Sequence, residues 1–427
     1  MKIYWSTRLF LVATVLSISP ILGSSQESPG RTEIQLSFDQ GKRRLLKESL
    51  KVLAEYYQIN LAKVELQAAK TWGNPLFVWN ADMYSHEWNE YFHMGNQTLV
   101  QVEYVVAVSG VRIQTIRQAN LEIEIAEHAF RDVVRGLVME YSESYGNLYI
   151  LTEKSKIYKV ILEKYDRLIA SYEKRLDLGV ISFNDLVRLR SEYISINSEA
   201  NANQNEILEE QRNLNSLLNF PSETVVIPGE RSNVQITGVE FAAALDSAHT
   251  NRPDFQIAQK NISYYEQSLR VERAEAVPTI NLGYQPRDRG SNYVRPYAGL
   301  VFEMDMPLFD RNQAGIQRAK IEIDQSKTML EIFENELDNE VFSALLQYLN
   351  AKENLGSYTA DFISDIDSLS ESALDNFQKQ NISLLQFLDY QQVYVDTRMQ
   401  FLDVKARYLS TLNHFNFCIG KDLSSAN

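Results

Sequence analysis

The chain has 427 residues, 23 % of them charged and 44 % hydrophobic, which is typical of a folded protein. Its 42 basic and 56 acidic residues give a formal charge of -14. This charge argues against a nucleic-acid-binding surface and disfavours binding to anionic membrane surfaces. The single cysteine, Cys418, excludes an intramolecular disulfide framework and a cluster of thiolate zinc ligands.

The first 25 residues have the pattern of a secretory signal peptide. Lys2 and Arg8 form its positive part, residues 9–22 are mostly apolar, and residues 23–25 are small enough for cleavage. An apolar stretch of about 14 residues is short for a membrane span, so we expect cleavage rather than an anchoring helix. Later segments are interrupted by charges, and any membrane embedding is therefore expected to use β-strands.

Two long stretches, 111–178 and 312–379, lack proline and are rich in helix-forming residues. Each would be about 100 Å long as a helix. Apolar residues recur at seven-residue steps in the first stretch and in the helix that follows the second, which predicts coiled packing. These residues are Leu151, Tyr158, Tyr165 and Tyr172, then Leu388, Val395, Leu402 and Leu409.

The two halves of the chain repeat at a spacing of about 200 residues: Pro75 corresponds to Pro278, and Ala119 to Ala319. The predicted units are an extended segment at 26–42, a first repeat at 43–220, a linker at 221–239, a second repeat at 240–419 and a tail at 420–427. Each repeat is predicted to contain, in order, a shorter helix, two strands, the long helix and a return helix. In the first repeat the shorter helix is 43–72, the strands are 75–84 and 99–109, and the return helix is 183–219. In the second repeat the shorter helix is 240–276, the strands are 278–286 and 296–306, and the return helix is 384–418.

Apolar and polar residues alternate along the four predicted strands, so each strand has one apolar and one polar face. This pattern fits a transmembrane barrel, and it also fits an antiparallel sheet that is half-buried on a soluble core. Four strands cannot close a transmembrane barrel, which needs about eight. The barrel interpretation therefore requires several chains.

The sequence gives no support for an enzyme, a cofactor or a metal site. It lacks the glycine-rich phosphate loop and the serine nucleophile motif. His86 and His93 are seven residues apart, which does not suit a zinc protease helix. Their loop, 85–96, has the character of a polar hairpin tip, although its side chains could contact a soft metal ion. His128, His249 and His414 are isolated and are expected to be surface or packing residues.

Two turns join the long helices to the return helices and are expected at the far tips of the rods. They consist of Gly179, Val180, Ile181 and Ser182, then Gln380, Asn381, Ile382 and Ser383. The serines are suited to N-cap the next helix. Nearby Asp185, Gln386 and Asp389 either line a pore and influence ion selectivity, or cap the first helical turns.

Two motifs carry a family resemblance. One is Arg252-Pro253-Asp254 at the start of a helix, and the other is the run from Met306 to Gly315, Met-Pro-Leu-Phe-Asp-Arg-Asn-Gln-Ala-Gly. With the arrangement above, the mature chain resembles the TolC-like outer-membrane efflux proteins. The second run is similar to the cobalt-zinc-cadmium, or CzcC-like, heavy-metal branch of that family.

The resemblance implies a mainly helical fold in which a long antiparallel coiled-coil barrel joins four transmembrane strands per chain. A homotrimer would close a twelve-stranded β-barrel in the outer membrane of a Gram-negative bacterium and extend into the periplasm. It implies a passive exit duct for heavy-metal cations, without catalysis. A periplasmic adaptor and a proton-driven inner-membrane pump would dock at the tips. The alternatives are export of drugs or of a protein, and a soluble periplasmic coiled-coil scaffold or adaptor.

The same resemblance assigns roles at the second tip. Gln380 stands at the family's glycine, Gln386 at the first acid of its constriction and Asp389 at the second. Ile382 replaces a basic residue that would bridge to the acid matched by Asp185. We therefore expect one uncharged ring, and hydrophobic tip contacts in place of a closing salt bridge.

Three acids, Glu103, Glu303 and Asp305, would face water inside the implied barrel and make its lumen negative, by strand alternation. Such a negative lumen would favour the passage of cations over anions, and a wide pore would discriminate between them only weakly. No cysteine follows the signal, so the lipid anchor common among the family's members is not expected.

Overall fold

The structure is a computed structural model that describes residues 32–81, 83–86, 89–91, 98–106, 108–230, 240–288 and 297–423. The predicted signal peptide, residues 231–239 of the predicted linker and residues 92–97, which include His93, lie outside the described residues. Helices make up most of the described chain and strands a small part, which confirms the mainly helical class.

The described elements follow one another in two similar series. The first series is β1 (Thr32–Leu36), α1 (Phe38–Glu48), α2 (Leu50–Lys70), β2 (Leu76–Ala81), β3 (Tyr84–Ser85), β4 (Glu90–Tyr91), β5 (Thr98–Val106), α3 (Val111–Asp177) and α4 (Phe183–Leu218). The second is β6 (Thr224–Pro228), α5 (Phe241–Asn251), α6 (Pro253–Glu275), β7 (Ile280–Asp288), β8 (Tyr297–Met304), α7 (Gln313–Gly356), α8 (Ala360–Gln378) and α9 (Leu384–Cys418).

The shorter helices, predicted as continuous over 43–72 and 240–276, are each broken once. Ser49 separates α1 from α2, and Arg252 separates α5 from α6; both residues have extended backbone. The cause at Arg252 is Pro253, because a proline ring disfavours helical geometry in the residue before it. Pro253 then begins α6, where its missing N–H costs nothing.

The long helix predicted over 312–379 is also interrupted, whereas α3 is continuous for 67 residues. Helix α7 ends at Gly356, a poor helix former, and α8 begins after Thr359. The Thr359 side chain accepts a hydrogen bond from the backbone N–H of Phe362 at 3.2 Å. A new N-cap is thus available within one turn of the glycine, and the helix restarts there.

The helices pack side by side in one layer. Near the strands the order is α2, α3, α6, α7, and towards the tips it is α4, α3, α9, α8. Helices α2 and α4 therefore lie end to end along α3, which is about 100 Å long, and α6 and α9 do the same along α7 and α8. No helix in the described part of the chain is long and apolar enough to cross a membrane.

The main sheet has four antiparallel strands in the order β2-β5-β7-β8. Strand β2 follows α2, β5 precedes α3, β7 follows α6, and β8 precedes α7. The strand order is therefore the same as the order of the helices attached to the strands. The four strands and the four helices attached to them therefore form one continuous layer, the wall.

A second sheet, in which β1 and β6 pair in parallel, connects the start of the described chain to the linker between the repeats. This corrects the predictions of a purely extended segment at 26–42 and a plain linker at 221–239, because α1 already begins at Phe38 and the linker contains β6. Tyr145 donates its hydroxyl to the backbone oxygen of Leu36 at 2.8 Å, and Tyr141 to that of Phe38. The pairing joins segments almost 200 residues apart, which short-range patterns do not reveal.

Three hydrophobic clusters fill the helical layer. The distal cluster lies between the helical hairpin of α3 and α4 and the hairpin of α8 and α9. The second cluster lies around α5, α7 and α9, and the third around α1, α3 and α4. The residues predicted at seven-residue steps on α3 are all buried, and so are Val395, Leu402 and Leu409 on α9. Leu388 is half-buried against the distal cluster. Coiled packing of these faces is therefore confirmed.

Candidate functional site at the helical tips and the sheet

The first tip turn reverses the chain between α3 and α4 in a Schellman arrangement. The N–H of Val180 donates to the oxygen of Arg175 at 2.9 Å, and that of Gly179 to the oxygen of Leu176 at 2.9 Å. Gly179 has φ +71°, in the left-handed region that glycine enters without penalty. Ser182 then caps α4 by accepting the N–H of Asn184 at 3.1 Å.

The second tip turn has the same geometry without the glycine. The N–H of Asn381 donates to the oxygen of Asn376, and that of Gln380 to Phe377, at 2.9 and 3.0 Å. Gln380 has φ +63°, which a residue with a side chain adopts only at a cost. The two repeats therefore end their long helices in one backbone conformation with different residues.

Gln386 takes part in a capping box at the start of α9. Its side-chain oxygen accepts the backbone N–H of Ser383 at 3.0 Å, while its own N–H donates to the Ser383 hydroxyl at 3.3 Å. Gln386 thus makes the capping contact that the sequence offered as the alternative to lining a pore.

Aromatic stacking connects the two hairpins behind the tips. Phe377 stacks on Phe387 at 4.6 Å between ring centroids, and Tyr172 of α3 stacks on Phe377 at 5.9 Å. Ile181 and Ile382, the central residues of the two turns, pack against the same cluster. Apolar contacts therefore hold the two tips together in the single chain.

The two predicted tip acids lie in different surroundings. Asp185 is half-buried in the first turn of α4, and burial together with this carboxylate raises the pKa of Tyr172. Asp389 is exposed in the second turn of α9. The described residues of one chain do not bring these two acids into contact.

Replacing Gln380 with glycine is expected to stabilise the protein by up to about 1 kcal/mol, because it removes the left-handed strain of a residue with a Cβ. The converse replacement, Gly179→Gln, is expected to destabilise it by a similar amount. Both changes are measured as shifts in the urea midpoint of the purified protein. If both variants shift the midpoint in the same direction, the strain argument is wrong.

The strand register gives the main sheet one continuous apolar face, since paired residues point to the same side. Tyr104 pairs with Leu282, which pairs with Phe302, and Tyr284 pairs with Leu300. The face consists of Phe77, Trp79, Val100, Val102, Tyr104, Ile280, Leu282, Tyr284, Leu300, Phe302 and Met304. Most of these large side chains are exposed, and Leu300 is 87 % exposed.

The opposite face carries the predicted acids Glu103 and Glu303. Glu103 accepts a hydrogen bond from the Gln101 side chain and lies opposite Gly283, where an added Cβ would come within 3.2 Å of its Cγ. Asp305 follows the end of β8 and accepts the Thr279 hydroxyl at 3.2 Å. The register thus keeps Glu103 and Glu303 off the apolar face, and the apolar residues Leu76, Val105 and Val301 share the side of these acids.

The Arg252-Pro253-Asp254 motif forms a partly buried ion network where α5, α6, α7 and α9 meet. Arg252 donates to both oxygens of Asp254, at 3.1 and 2.7 Å, and to Glu340 at 2.5 Å. Arg135 of α3 also donates to Asp254, at 2.9 Å. Burial opposes the charge on Asp254, yet the hydrogen bonds from Arg252 and the charge of Arg135 lower its pKa.

Sequence reasoning missed the partners in this network. Glu340 and Arg135 have no local signal, because each is one of many charges on a long helix. His414, expected to be isolated, approaches Cys418 with 3.6 Å between Nε2 and Sγ. Only the spacing of His414 and Cys418, four residues apart on one helix, could have indicated that contact.

Comparison with known proteins is informative for the second half of the chain and for the fold. Residues 244–421 match the family model described as outer membrane efflux protein. No curated protein sequence matches the chain.

Solved outer-membrane channels have the same fold over most of the chain. CusC is similar with a TM-score of 0.71 and 18 % identity, covering 90 % of this chain and 92 % of its own. CmeC of Campylobacter jejuni gives 0.71 and 14 %, covering 91 % and 87 %. VceC of Vibrio cholerae gives 0.70 and 12 %, covering 90 % and 96 %. Residues 244–421 thus match the outer membrane efflux protein family, and the chain has the fold of these outer-membrane channels.

Proposed function

We propose that this chain is the outer-membrane channel of a tripartite efflux system, working as a homotrimer in a Gram-negative bacterium. The observation that carries the proposal is the common order of strands β2-β5-β7-β8 and helices α2, α3, α6 and α7. A wall in which each strand continues as a helix is what a duct across the outer membrane and the periplasm requires.

The open edges of the wall support the trimer. Within the described residues, β2 and β8 each have one unpaired edge, and α2 and α7 are the outermost helices on the same two sides. Both helices expose rows of apolar residues: Leu50, Leu53, Tyr57, Leu61 and Val64 on α2, and Ile321, Met329, Ile332, Phe342 and Leu346 on α7. Neighbouring copies would cover these rows and pair β8 with β2, and three copies supply twelve strands, more than the minimum of about eight.

The duct is passive in this proposal. Its apolar sheet face meets lipid, and Glu103, Glu303 and Asp305 contribute negative charge on the water side. The tip turns dock a periplasmic adaptor and a proton-driven inner-membrane pump, which supplies the energy. The exposed tip residues Gly179, Val180, Gln380 and Asn381 are accessible for that contact in the single chain.

Heavy-metal cations are the proposed substrates. The support is the segment Pro307 to Gln313, which resembles the cobalt-zinc-cadmium branch, together with the acids on the polar sheet face. Loss of the chain in its host should then increase sensitivity to zinc, cobalt or cadmium. Sensitivity to drugs alone, or loss of a secreted protein, would assign the duct to the other export classes.

The decisive experiment combines conductance and mass in one detergent preparation. The purified protein should be a trimer and should form channels in a planar bilayer. A protein that stays soluble without detergent and gives no conductance would overturn the duct and favour a periplasmic coiled-coil scaffold.

Replacing Asp389 with asparagine is expected to reduce the cation preference of the channel, because it removes the carboxylate proposed to form a ring at the tip constriction. Reversal potentials in a salt gradient measure the effect. Asp324→Asn on α7 removes an equal charge far from the tips and should leave the reversal potential nearly unchanged. An unchanged potential in Asp389→Asn removes that residue from the constriction.

A further inference from the structure

Three side chains with metal-binding atoms converge between α7 and α9. His414 and Cys418 are four residues apart and share one face of α9, and Glu340 faces them from α7. Their nitrogen, sulfur and carboxylate oxygen atoms all lie within 4.8 Å of one another. These residues are far along the chain from the tip turns and from the strands, so they have no part in the duct mechanism above.

The distance between the sulfur and nitrogen atoms suits tetrahedral coordination of a metal ion. Cys418 Sγ lies 3.6 Å from His414 Nε2. A zinc ion with bonds of about 2.3 Å to sulfur and about 2.0 Å to nitrogen holds those two atoms about 3.5 Å apart in tetrahedral geometry. Glu340 accepts from Arg252 through Oε2, and one oxygen of its carboxylate lies within the cluster of ligand atoms.

Charged groups lie close to the three side chains. Two guanidinium groups pair with three carboxylates, and a fourth carboxylate acts on His414. The groups are Arg135 and Arg252, then Asp132, Asp254, Glu340 and Glu143. Glu143 of α3 interacts electrostatically with His414. A carboxylate near the ring of a ligating histidine orients the ring and increases its basicity.

We propose that Glu340, His414 and Cys418 bind a borderline-soft divalent cation such as Zn²⁺, with water as the fourth ligand. On binding, the sulfur–hydrogen bond of Cys418 is replaced by a sulfur–metal bond, and the proton leaves to solvent. Because burial and Glu340 raise the pKa of Cys418 to about 12, the thiol carries this proton while the site is empty. The ion joins α7 to α9, and this role does not depend on what the duct exports.

The test is a titration of the full-length, detergent-purified protein with Co²⁺, which replaces Zn²⁺ and absorbs light. The protein carries no histidine tag and is first stripped with chelator. Cys418 is the only cysteine, so a thiolate-to-cobalt charge-transfer band reports this site and no other. The expected result is a band that saturates at one Co²⁺ per chain and is removed by Zn²⁺.

Variants distinguish the three-residue site from a thiol that binds alone. Cys418→Ser should abolish the band, and His414→Gln should weaken Co²⁺ binding by about tenfold or more. The control is His249→Gln, whose ring contacts Asp338 at 3.1 Å outside the cluster, and it should leave the titration unchanged. The proposal is overturned if the unaltered protein shows no band, or if His414→Gln binds Co²⁺ as tightly as the unaltered protein.

Discussion

Replacing Leu300 with arginine is expected to prevent or strongly impair assembly of the protein in the outer membrane. Leu300 is the most exposed large side chain of the apolar sheet face, and it pairs with Tyr284 near the middle of β8. If that face meets lipid, an arginine near the bilayer midplane costs about 2–4 kcal/mol per chain. Three chains would each bear that cost in one barrel.

The matched control is Glu303→Arg, which introduces the same side chain three residues away on the opposite face. This arginine would face water, so the variant should assemble normally. The measurement is the amount of each variant in purified outer membranes, with whole-cell expression as reference. Normal assembly of Leu300→Arg would show that the apolar face does not contact lipid.

Replacing Arg252 with methionine is expected to destabilise the helical region by about 1–3 kcal/mol, because the partly buried carboxylates of Asp254 and Glu340 lose this hydrogen-bond donor. The Arg252 side chain is only 5 % exposed and contacts both Asp254 and Glu340. Without it, Glu340 loses its guanidinium partner, and Asp254 keeps Arg135 and the backbone N–H of Phe255. Methionine has a similar volume, so the loss reports charge rather than a cavity.

The control for this experiment is Arg212→Met on α4. Arg212 is 73 % exposed and pairs with Glu209 at 3.4 Å, so its removal should cost under about 1 kcal/mol. Urea unfolding in detergent compares the two variants with the unaltered protein. Equal stability of Arg252→Met and Arg212→Met would show that the network contributes little.

Local patterns in the sequence predicted much of this architecture. Alternation of apolar and polar residues located the strand pair at Leu282 and Phe302, and the seven-residue recurrence located the buried face of α3 at Tyr158 and Tyr165. Ser182 and Ser383 were recognisable as N-caps, and both caps are present. These features depend on residues that are close together in the sequence, so the spacing of residues along the chain is sufficient to predict them.

The tertiary structure decided what depends on distant residues. The sequence alone could not show that α7 ends at Gly356, that β1 pairs with β6, or that the strand order matches the helix order. It also gave no sign that Glu340 lies beside Arg252 and Cys418. The periodicity of a chain determines which side of an element is buried, but the element that covers that side is determined by packing between segments far apart in sequence.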